Sequence, residues 1–342
     1  MTQLQTLDWP APWPVISDAH IPQLNGHREE WISSVARGLR QRVYLVRARQ
    51  GEAITGVLPL HLVKGPIFGR FLVSIPYLNT GGVWAKDVET ATRLIDVACD
   101  LADQLNVRYL ELRHEQAVEH PRLNFSRTDK VHMRLALPDS DEALMASFKS
   151  KLRSQIKKTG EYGLSVRFGG AEFLRDFYNV FAHNMRDLGT PVFPRGLFAA
   201  ILEEFGDQAE LCIVSKDSRA VAGALLVHAD GVSEVPSASS LRAFNRTGAN
   251  MLMYRHLLAR SIERGSRTFD FGRSSQGSGT YKFKAQWGAQ PHPAVWQYYV
   301  RKGSPEDMRP EASGKQRMVQ LWQKLPVWLT RLIGPPIVRG IP

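Results

Sequence analysis

The sequence has little cysteine: only two residues, Cys99 and Cys212, in 342. Each stands in an apolar stretch without a nearby His or second Cys. Disulfide frameworks need more cysteines, and metal sites need closely spaced Cys and His ligands. We therefore expect two buried structural thiols, no disulfide and no bound metal.

Long apolar runs are also missing. Nowhere does the chain approach the roughly 20 apolar residues that span a bilayer. Residues 1–14 lack the basic start and apolar core of a signal peptide. The sequence therefore predicts a cytoplasmic location.

Motifs for covalent catalysis are absent as well. The chain has no GxSxG motif and no His–Cys pair at a diagnostic spacing, so covalent catalysis through an enzyme nucleophile has little support.

Positive charge is in excess, with 44 Lys and Arg against 33 Asp and Glu, a net charge of +11. This favours an anionic partner such as nucleic acid, a phosphorylated small molecule or anionic lipid. The alternative is that the charge serves only solubility.

Hydrophobic periodicity predicts a repeated order of elements. In the second half a strand and two helices precede three antiparallel strands. A helix over 249–264 then feeds a strand over 267–271, a short helix and a last strand over 294–300. In the first half, a helix over 88–105 feeds a strand over 108–112 in the same way. This order resembles the GNAT acyltransferase fold. We predict an α/β fold of two tandem GNAT-like domains with mixed sheets, at 1–139 and 140–302, followed by a tail at 303–342.

A basic helix is expected over 141–158, with Ser140 as its N-cap. Lys149, Arg153 and Lys157 follow one another at i, i+4 along it. Such a stripe is either a solvated face or a surface that contacts phosphate or RNA.

The loop over 242–249 leads into the helix at 249–264. A basic loop with glycine at a helix start can bind phosphate through free backbone N–H groups. Arg246, Thr247, Gly248 and Asn250 are therefore candidate contacts for a donor phosphate. The alternative is an ordinary loop and helix cap.

Chemistry-bearing residues are densest between 269 and 288, which read Phe269-Asp-Phe-Gly-Arg273, Tyr281-Lys-Phe-Lys284 and Trp287-Gly288. Asp270 could orient an amine or bond to backbone. Arg273 could grip a carboxylate or phosphate. Lys284 could offset negative charge that develops in an acyl transfer. We assign Asp270 and Lys284 to catalysis, and assign substrate contacts to these residues: Asn184, Asp187, Arg273, Lys282 and Trp287.

Asn184 and Asp187 are included because of their place on the helix over 171–188. Asn184 falls on the apolar stripe of that helix, where a polar group needs a partner. It either caps a neighbouring element or lines a cleft.

The 269–288 blocks, with the basic helix Lys151–Lys158, resemble FemAB-type proteins of the GNAT superfamily. The resemblance is greatest to the FemAB-related proteins associated with exosortase/PEP-CTERM systems. It implies a duplicated GNAT fold with its active cleft in or beside the second half. It also implies acyl transfer from coenzyme A or aminoacyl-tRNA to an amine of peptidoglycan or exopolysaccharide precursors, with Lys284 at the transfer site. The chain lacks the long coiled-coil insertion of Fem enzymes.

The tail over 316–333 mixes two tryptophans and many aliphatic residues with Arg317, Lys324 and Arg331. This composition suits an amphipathic helix on the inner face of an anionic membrane, or a helix packed on the protein itself. Pro326 should kink or split it. The sequence thus predicts a GNAT-type N-acyltransferase of the cell envelope. The alternative is a non-catalytic membrane-surface adaptor on a decayed GNAT fold.

Overall fold

The structure, a computed structural model, describes residues 2–14, 16, 19–21, 23–308 and 315–342. The chain divides into two compact units. One comprises Met1–Thr128, Pro293–Val319 and Ile333–Pro342, and the other comprises Asp129–His292 and Gln320–Leu332.

The first unit is built on one mixed sheet. Its strand order is β1-β2-β3-β4-β6-β15-β7, with β5 paired to β3. The strands are β1 (Thr2–Asp8), β2 (Arg42–Gln50), β3 (Ala53–Gly65), β4 (Gly69–Val73), β5 (Trp84–Ala85), β6 (Tyr109–His114), β7 (Phe125–Arg127) and β15 (Val295–Val300). The helices are α1 (Glu29–Leu39) and α2 (Val88–Gln104). Asp87 caps α2 by accepting from the Thr90 N–H, and Leu94 and Ala98 bury its apolar stripe in the core.

The second unit has a seven-stranded sheet in the order β14-β8-β13-β12-β11-β10-β9. Its strands are β8 (Lys130–Ala136), β9 (Leu164–Gly169), β10 (Ala209–Lys216), β11 (Arg219–Ala229), β12 (Val232–Ser240), β13 (Thr268–Ser275) and β14 (Gln290–Pro293). Its helices are α3 (Asp141–Ser147), α4 (Ser150–Thr159), α5 (Leu174–Leu188), α6 (Arg195–Phe205), α7 (Ala249–Glu263) and α8 (Gly279–Ala285). Two more helices, α9 (Lys315–Lys324) and α10 (Val327–Val338), end the chain.

The domain limits differ from the expected 139/140 and 302/303 because each sheet takes a strand from beyond its own segment. Strand β8 was expected in the first domain, but it pairs with β13 along Lys130–Ala136. Strand β15 was expected in the second domain, but it pairs with β6 over its whole length. Sequence periodicity identifies a strand but not its partner, so it could not reveal this exchange.

The basic helix expected over 141–158 is two helices. Ser140 does cap the first, accepting from the Ala143 N–H at 3.2 Å. Phe148 and Lys149 then adopt extended backbone. Phe148 is buried against Trp287, with ring centroids 5.5 Å apart, and burial of this ring stabilises the break. The expected split of the tail at Pro326 is confirmed, since α9 ends at Lys324 and α10 begins at Val327.

A buried ion cluster joins β10, β11 and α7. Glu210 accepts from His228 at 2.9 Å and from Arg260 at 2.8 Å. Burial alone would raise the pKa of this carboxyl, but the hydrogen bonds from His228 and Arg260 outweigh it and lower the pKa to about 2. Glu210 therefore stabilises the fold in its ionised, carboxylate form. The expected burial of both cysteines is confirmed.

Candidate functional site

The central strands of the second sheet diverge. Strands β12 and β13 run parallel and pair at Val232–Thr268, Ser233–Phe269 and Glu234–Asp270. Strand β12 continues to Ser240 and β13 to Ser275. Beyond Glu234 and Asp270 the two strands are no longer paired with each other.

A bulge in β13 places Asp270 and Arg273 on one face of the sheet. Asp270 pairs with Arg134, whereas Arg273 pairs with His132. Residues two apart on β8 share a face, so their partners also share it. The extra residue falls at Gly272, whose φ is +75°, a conformation that glycine adopts without strain. Strict alternation would have put Asp270 and Arg273 on opposite faces.

Asp270 closes this bulge from one side. Its Oδ1 accepts from the Gly272 N–H at 2.7 Å, and its Oδ2 accepts from Arg134 Nε at 2.8 Å. The carboxylate is 7 % exposed. A buried carboxylate with a charged and a backbone donor is held in one orientation.

Lys284 closes the bulge from the other side. Its Nζ donates to the Gly272 carbonyl at 3.0 Å and to the Arg273 carbonyl at 3.1 Å. The side chain is buried. Burial lowers the pKa of Lys284 from 10.5 to about 8, and the negative charge of Asp270 works against this shift. Asp270 and Lys284, the two residues assigned to catalysis from the sequence, are thus joined through the same backbone turn.

Helix α8 positions Lys284. Ser278 caps it by accepting from the Tyr281 N–H at 3.2 Å. Phe283 packs edge-on against Tyr254 of α7, with ring centroids 5.0 Å apart. Phe283 is half-buried against the core, and the next residue, Lys284, reaches the carbonyls of β13. Lys282 lies on the exposed side of the helix.

Trp287 belongs to the core rather than to an exposed substrate surface. It is 1 % exposed and contacts Phe148, Tyr254 and Phe283. It also contributes to the wall of a cavity of about 460 Å³. The remaining wall comes from Leu135–Pro138, Ser147–Lys149, Ala285, Gln286 and Gly288.

Asn184 and Asp187 meet the end of β12 instead of the bulge residues. Asn184 Nδ2 donates to Ser239 Oγ at 3.1 Å, so its inward position is explained by a partner on the sheet. Arg242 donates to the Asp187 carbonyl at 2.8 Å. The structure therefore ties Asn184 to the last residues of β12 and Asp187 to the segment that follows the strand.

The candidate phosphate loop is a 3-10 helix over Arg242–Thr247. Gly248 N–H donates to the Asn245 carbonyl at 3.2 Å, and Thr247 Oγ1 donates to Phe244 at 2.7 Å. These two groups are therefore engaged within the loop. Arg246 is exposed, and Asn250 is half-buried in the first turn of α7.

The basic helix α4 reaches this loop. A Cβ added to Gly248 would lie 2.8 Å from the Thr159 methyl group, so the C-terminal end of α4 contacts the start of α7. Lys157 and Lys158 immediately precede Thr159 and are exposed. The end of α4 that carries Lys157 and Lys158 therefore lies beside the start of α7, which follows the loop that carries Arg246.

Lys149 and Arg153 are placed differently. The break between α3 and α4 leaves Lys149 outside the helix, as the N-cap residue of α4. Arg153 donates to the Phe148 carbonyl at 2.6 Å, so it caps the end of α3. The predicted stripe of Lys149, Arg153 and Lys157 is therefore incomplete, because Lys149 lies outside helix α4.

Sequence reasoning missed Arg134 and Glu234. Both lie beside Asp270 in the register of the sheet. The polar alternation Lys130, His132, Arg134 was the available signal for Arg134, but β8 was assigned to the other domain.

Among the described residues, no group of three or more His, Cys, Asp and Glu side chains is placed to hold a metal. In the same part of the chain no helix has the length and apolar character to cross a membrane.

Residues 146–285 match the family model of an acetyltransferase (GNAT) domain. No curated protein matches the sequence. Among solved structures, FemX is similar with a TM-score of 0.58 and 14 % identity, covering 89 % of this chain and 99 % of that one. The C-terminal domain of a putative lysylphosphatidylglycerol synthetase from Agrobacterium fabrum has a TM-score of 0.50 and 11 % identity. That likeness covers 72 % of this chain and 82 % of the other.

These likenesses confirm the predicted fold class, an α/β protein of two tandem GNAT-like domains with mixed sheets. The part that matches the acetyltransferase (GNAT) domain model, residues 146–285, lies in the second half of the chain. At 11–14 % identity the two solved structures show the fold alone. The association with exosortase/PEP-CTERM systems stays a prediction.

Proposed function

We propose that the protein is an N-acyltransferase that moves an acyl or aminoacyl group onto an amine of a cell-envelope precursor in the cytoplasm. The arrangement of Asp270, Gly272 and Lys284, at the point where β12 and β13 cease to pair, carries this proposal. The names of the fold neighbours, FemX and a lysylphosphatidylglycerol synthetase, favour an envelope acceptor.

The reaction is a direct displacement. The acceptor nitrogen attacks the carbonyl carbon of a thioester or ester, a C–N bond forms, and the sulfur or oxygen of the carrier leaves with the electron pair. The attacking amine loses one proton to solvent. No enzyme nucleophile takes part, which agrees with the absence of a covalent-catalysis motif in the sequence.

Lys284 stabilises the negative oxygen in this scheme. An ammonium group has three N–H donors, and two of them bind the carbonyls of Gly272 and Arg273. The third is the donor that we assign to the oxyanion. With a pKa of about 8, roughly nine in ten molecules carry the charged form at pH 7. A buried charge acts more strongly on a developing oxyanion than one in water.

Asp270 holds the bulge that fixes Lys284 and supplies negative charge beside it. Arg273, on the same face, contacts an acidic group of the acceptor in this proposal. Asn184 and Asp187 border the substrate at the end of β12. We assign no direct role in substrate binding to Lys282, which is exposed on α8, or to Trp287, which is buried in the core.

The donor is an acyl group on a phosphate-bearing carrier, coenzyme A or tRNA. The cationic side chains of Lys157, Lys158 and Arg246 suit the phosphates of either. Calorimetry of the full chain with acetyl-coenzyme A and, separately, with charged tRNA distinguishes them. The bound donor is then incubated with a pool of amine-bearing envelope precursors, and mass spectrometry follows the acyl product.

Binding of one donor and acylation of a precursor amine are the expected results. The proposal is overturned if the protein binds neither acetyl-coenzyme A nor charged tRNA. If the same protein then sediments with lipid vesicles, the adaptor function replaces the enzyme.

A further inference from the structure

The outward sides of α9 and α10 form an apolar surface. Leu321, Trp328 and Leu332 are 65 %, 67 % and 67 % exposed, and Met318 one turn earlier is 63 % exposed. Single exposed apolar side chains are ordinary. Here Leu321, Trp328 and Leu332 lie within 12 residues of one another in the same compact unit, and Trp328 and Leu332 are one turn apart. They form a patch of the kind that marks an interaction site.

This segment is held in place by α5. Arg186 donates to the Leu325 carbonyl at 3.2 Å, and Gln323 donates to the Asp187 carbonyl at 3.0 Å. Arg331 binds Asn179 Oδ1 at 3.0 Å. These contacts fix the turn between the two helices, so the apolar side chains are exposed on an anchored segment.

Cationic and further apolar groups border the patch. Arg317 and Lys324 are exposed on α9. Leu188, 53 % exposed, follows Asp187, to which Gln323 is bonded. Tryptophan with aliphatic neighbours and basic flanks is typical of segments that lie in the headgroup region of a bilayer.

We propose that the surface formed by Leu188, Leu321, Trp328 and Leu332 docks on an anionic lipid bilayer. The apolar side chains enter the headgroup region and Lys324 contacts lipid phosphate. Charge favours a bilayer over a second copy of the chain, because two copies of a protein of net charge +11 would bring like charges together. The inference stands apart from the acyl-transfer proposal, since vesicle binding is measured without donor or acceptor.

The test is sedimentation of the full chain with vesicles of phosphatidylcholine, with or without phosphatidylglycerol. We expect binding to the mixed vesicles only. The double variant Trp328→Ser/Leu332→Ser should weaken it by at least about tenfold, because both side chains lose their apolar contact with lipid. Lys324→Gln should weaken it by about fivefold.

Val88→Ser is the matched control. Val88 is 51 % exposed at the start of α2 and is not part of the patch, and its replacement should leave vesicle binding unchanged. Circular dichroism of each variant checks folding.

Equal binding to neutral vesicles, or unchanged binding by the double variant, overturns the proposal. A dimer at micromolar concentration that the double variant abolishes would assign the surface to self-association instead.

Discussion

Replacing Lys284 with Met removes its buried charge and its two hydrogen bonds together, and the pH dependence of the effect isolates the contribution of the charge. Burial lowers the pKa of Lys284 from 10.5 to about 8. A difference of about 2.5 pKa units corresponds to about 3 kcal/mol of unfolding free energy. Relative to its neutral form, the charged form of Lys284 is therefore less stable in the folded chain than in the unfolded chain by about that amount.

The sign of the pH dependence follows from proton binding. Below pH 8 Lys284 is protonated in both the folded and the unfolded chain. Between pH 8 and 10.5 the unfolded chain holds the proton and the folded chain does not. Stability therefore rises with pH in this window, and about 2 kcal/mol of the rise should be complete by pH 9.5.

Urea unfolding at pH 7 and pH 9.5, followed by circular dichroism, measures this effect. The wild-type protein should gain about 2 kcal/mol relative to Lys284→Met between the two pH values. Lys282→Met is the control, because Lys282 is exposed on the same helix, and its difference from wild type should not change with pH. A constant difference for Lys284→Met would refute the reasoning, since it would mean that the folded and unfolded pKa values are equal.

Three further outcomes are expected. Asp270→Asn removes the charge that raises the pKa of the buried lysine, so the high-pH fall of kcat/KM should move to lower pH and kcat should drop about tenfold; an unchanged pH profile would contradict this coupling. The double charge reversal Lys157→Glu/Arg246→Glu should raise the KM for the donor about tenfold while kcat stays within about twofold. A lower kcat at unchanged KM would mean that the donor does not bind at these two residues. Glu210→Gln should lose about 3 kcal/mol of stability against wild type above pH 4.5, and the gap should close as pH falls towards 2 in acid unfolding; a gap independent of pH would contradict the assigned carboxylate state.

The order of elements could be predicted because most of them show clear periodicity and marked ends. The helix over 88–105 and the strand over 108–112 appear within two residues of the expected limits, as α2 and β6. Short strands such as β5 and β7 have two and three residues, too few to show a period.

Non-local pairing caused the larger differences. The partner of β8 is β13, about 140 residues further along the chain, and nothing in the local pattern of β8 encodes that choice. Phe148 broke the basic helix because its ring is buried against Trp287, again a distant residue. Tertiary contacts of this kind override local helix propensity.

The same limit applied to the candidate site. Asp270, Arg273 and Lys284 could be selected as polar residues around a glycine-containing segment, but their mutual positions depend on the bulge at Gly272. Because side chains alternate along a strand, Asp270 could be placed on the face of the sheet opposite Phe269 and Phe271, which lie in the core. Arg273 could not be placed in this way, because an extra residue resets the alternation.

The cost of burying Lys284 bears on the choice between enzyme and adaptor. Two carbonyl groups of a bulge need hydrogen-bond donors, but neutral donors can satisfy them without the desolvation of an ammonium group. A lysine here costs about 3 kcal/mol more in its charged form than in its neutral form, a large fraction of ordinary domain stability. The charge of the ammonium group is not needed to hold these carbonyls, whereas it would stabilise an oxyanion formed beside it. The geometry and the energetics of Lys284 therefore both favour acyl transfer over a passive scaffold.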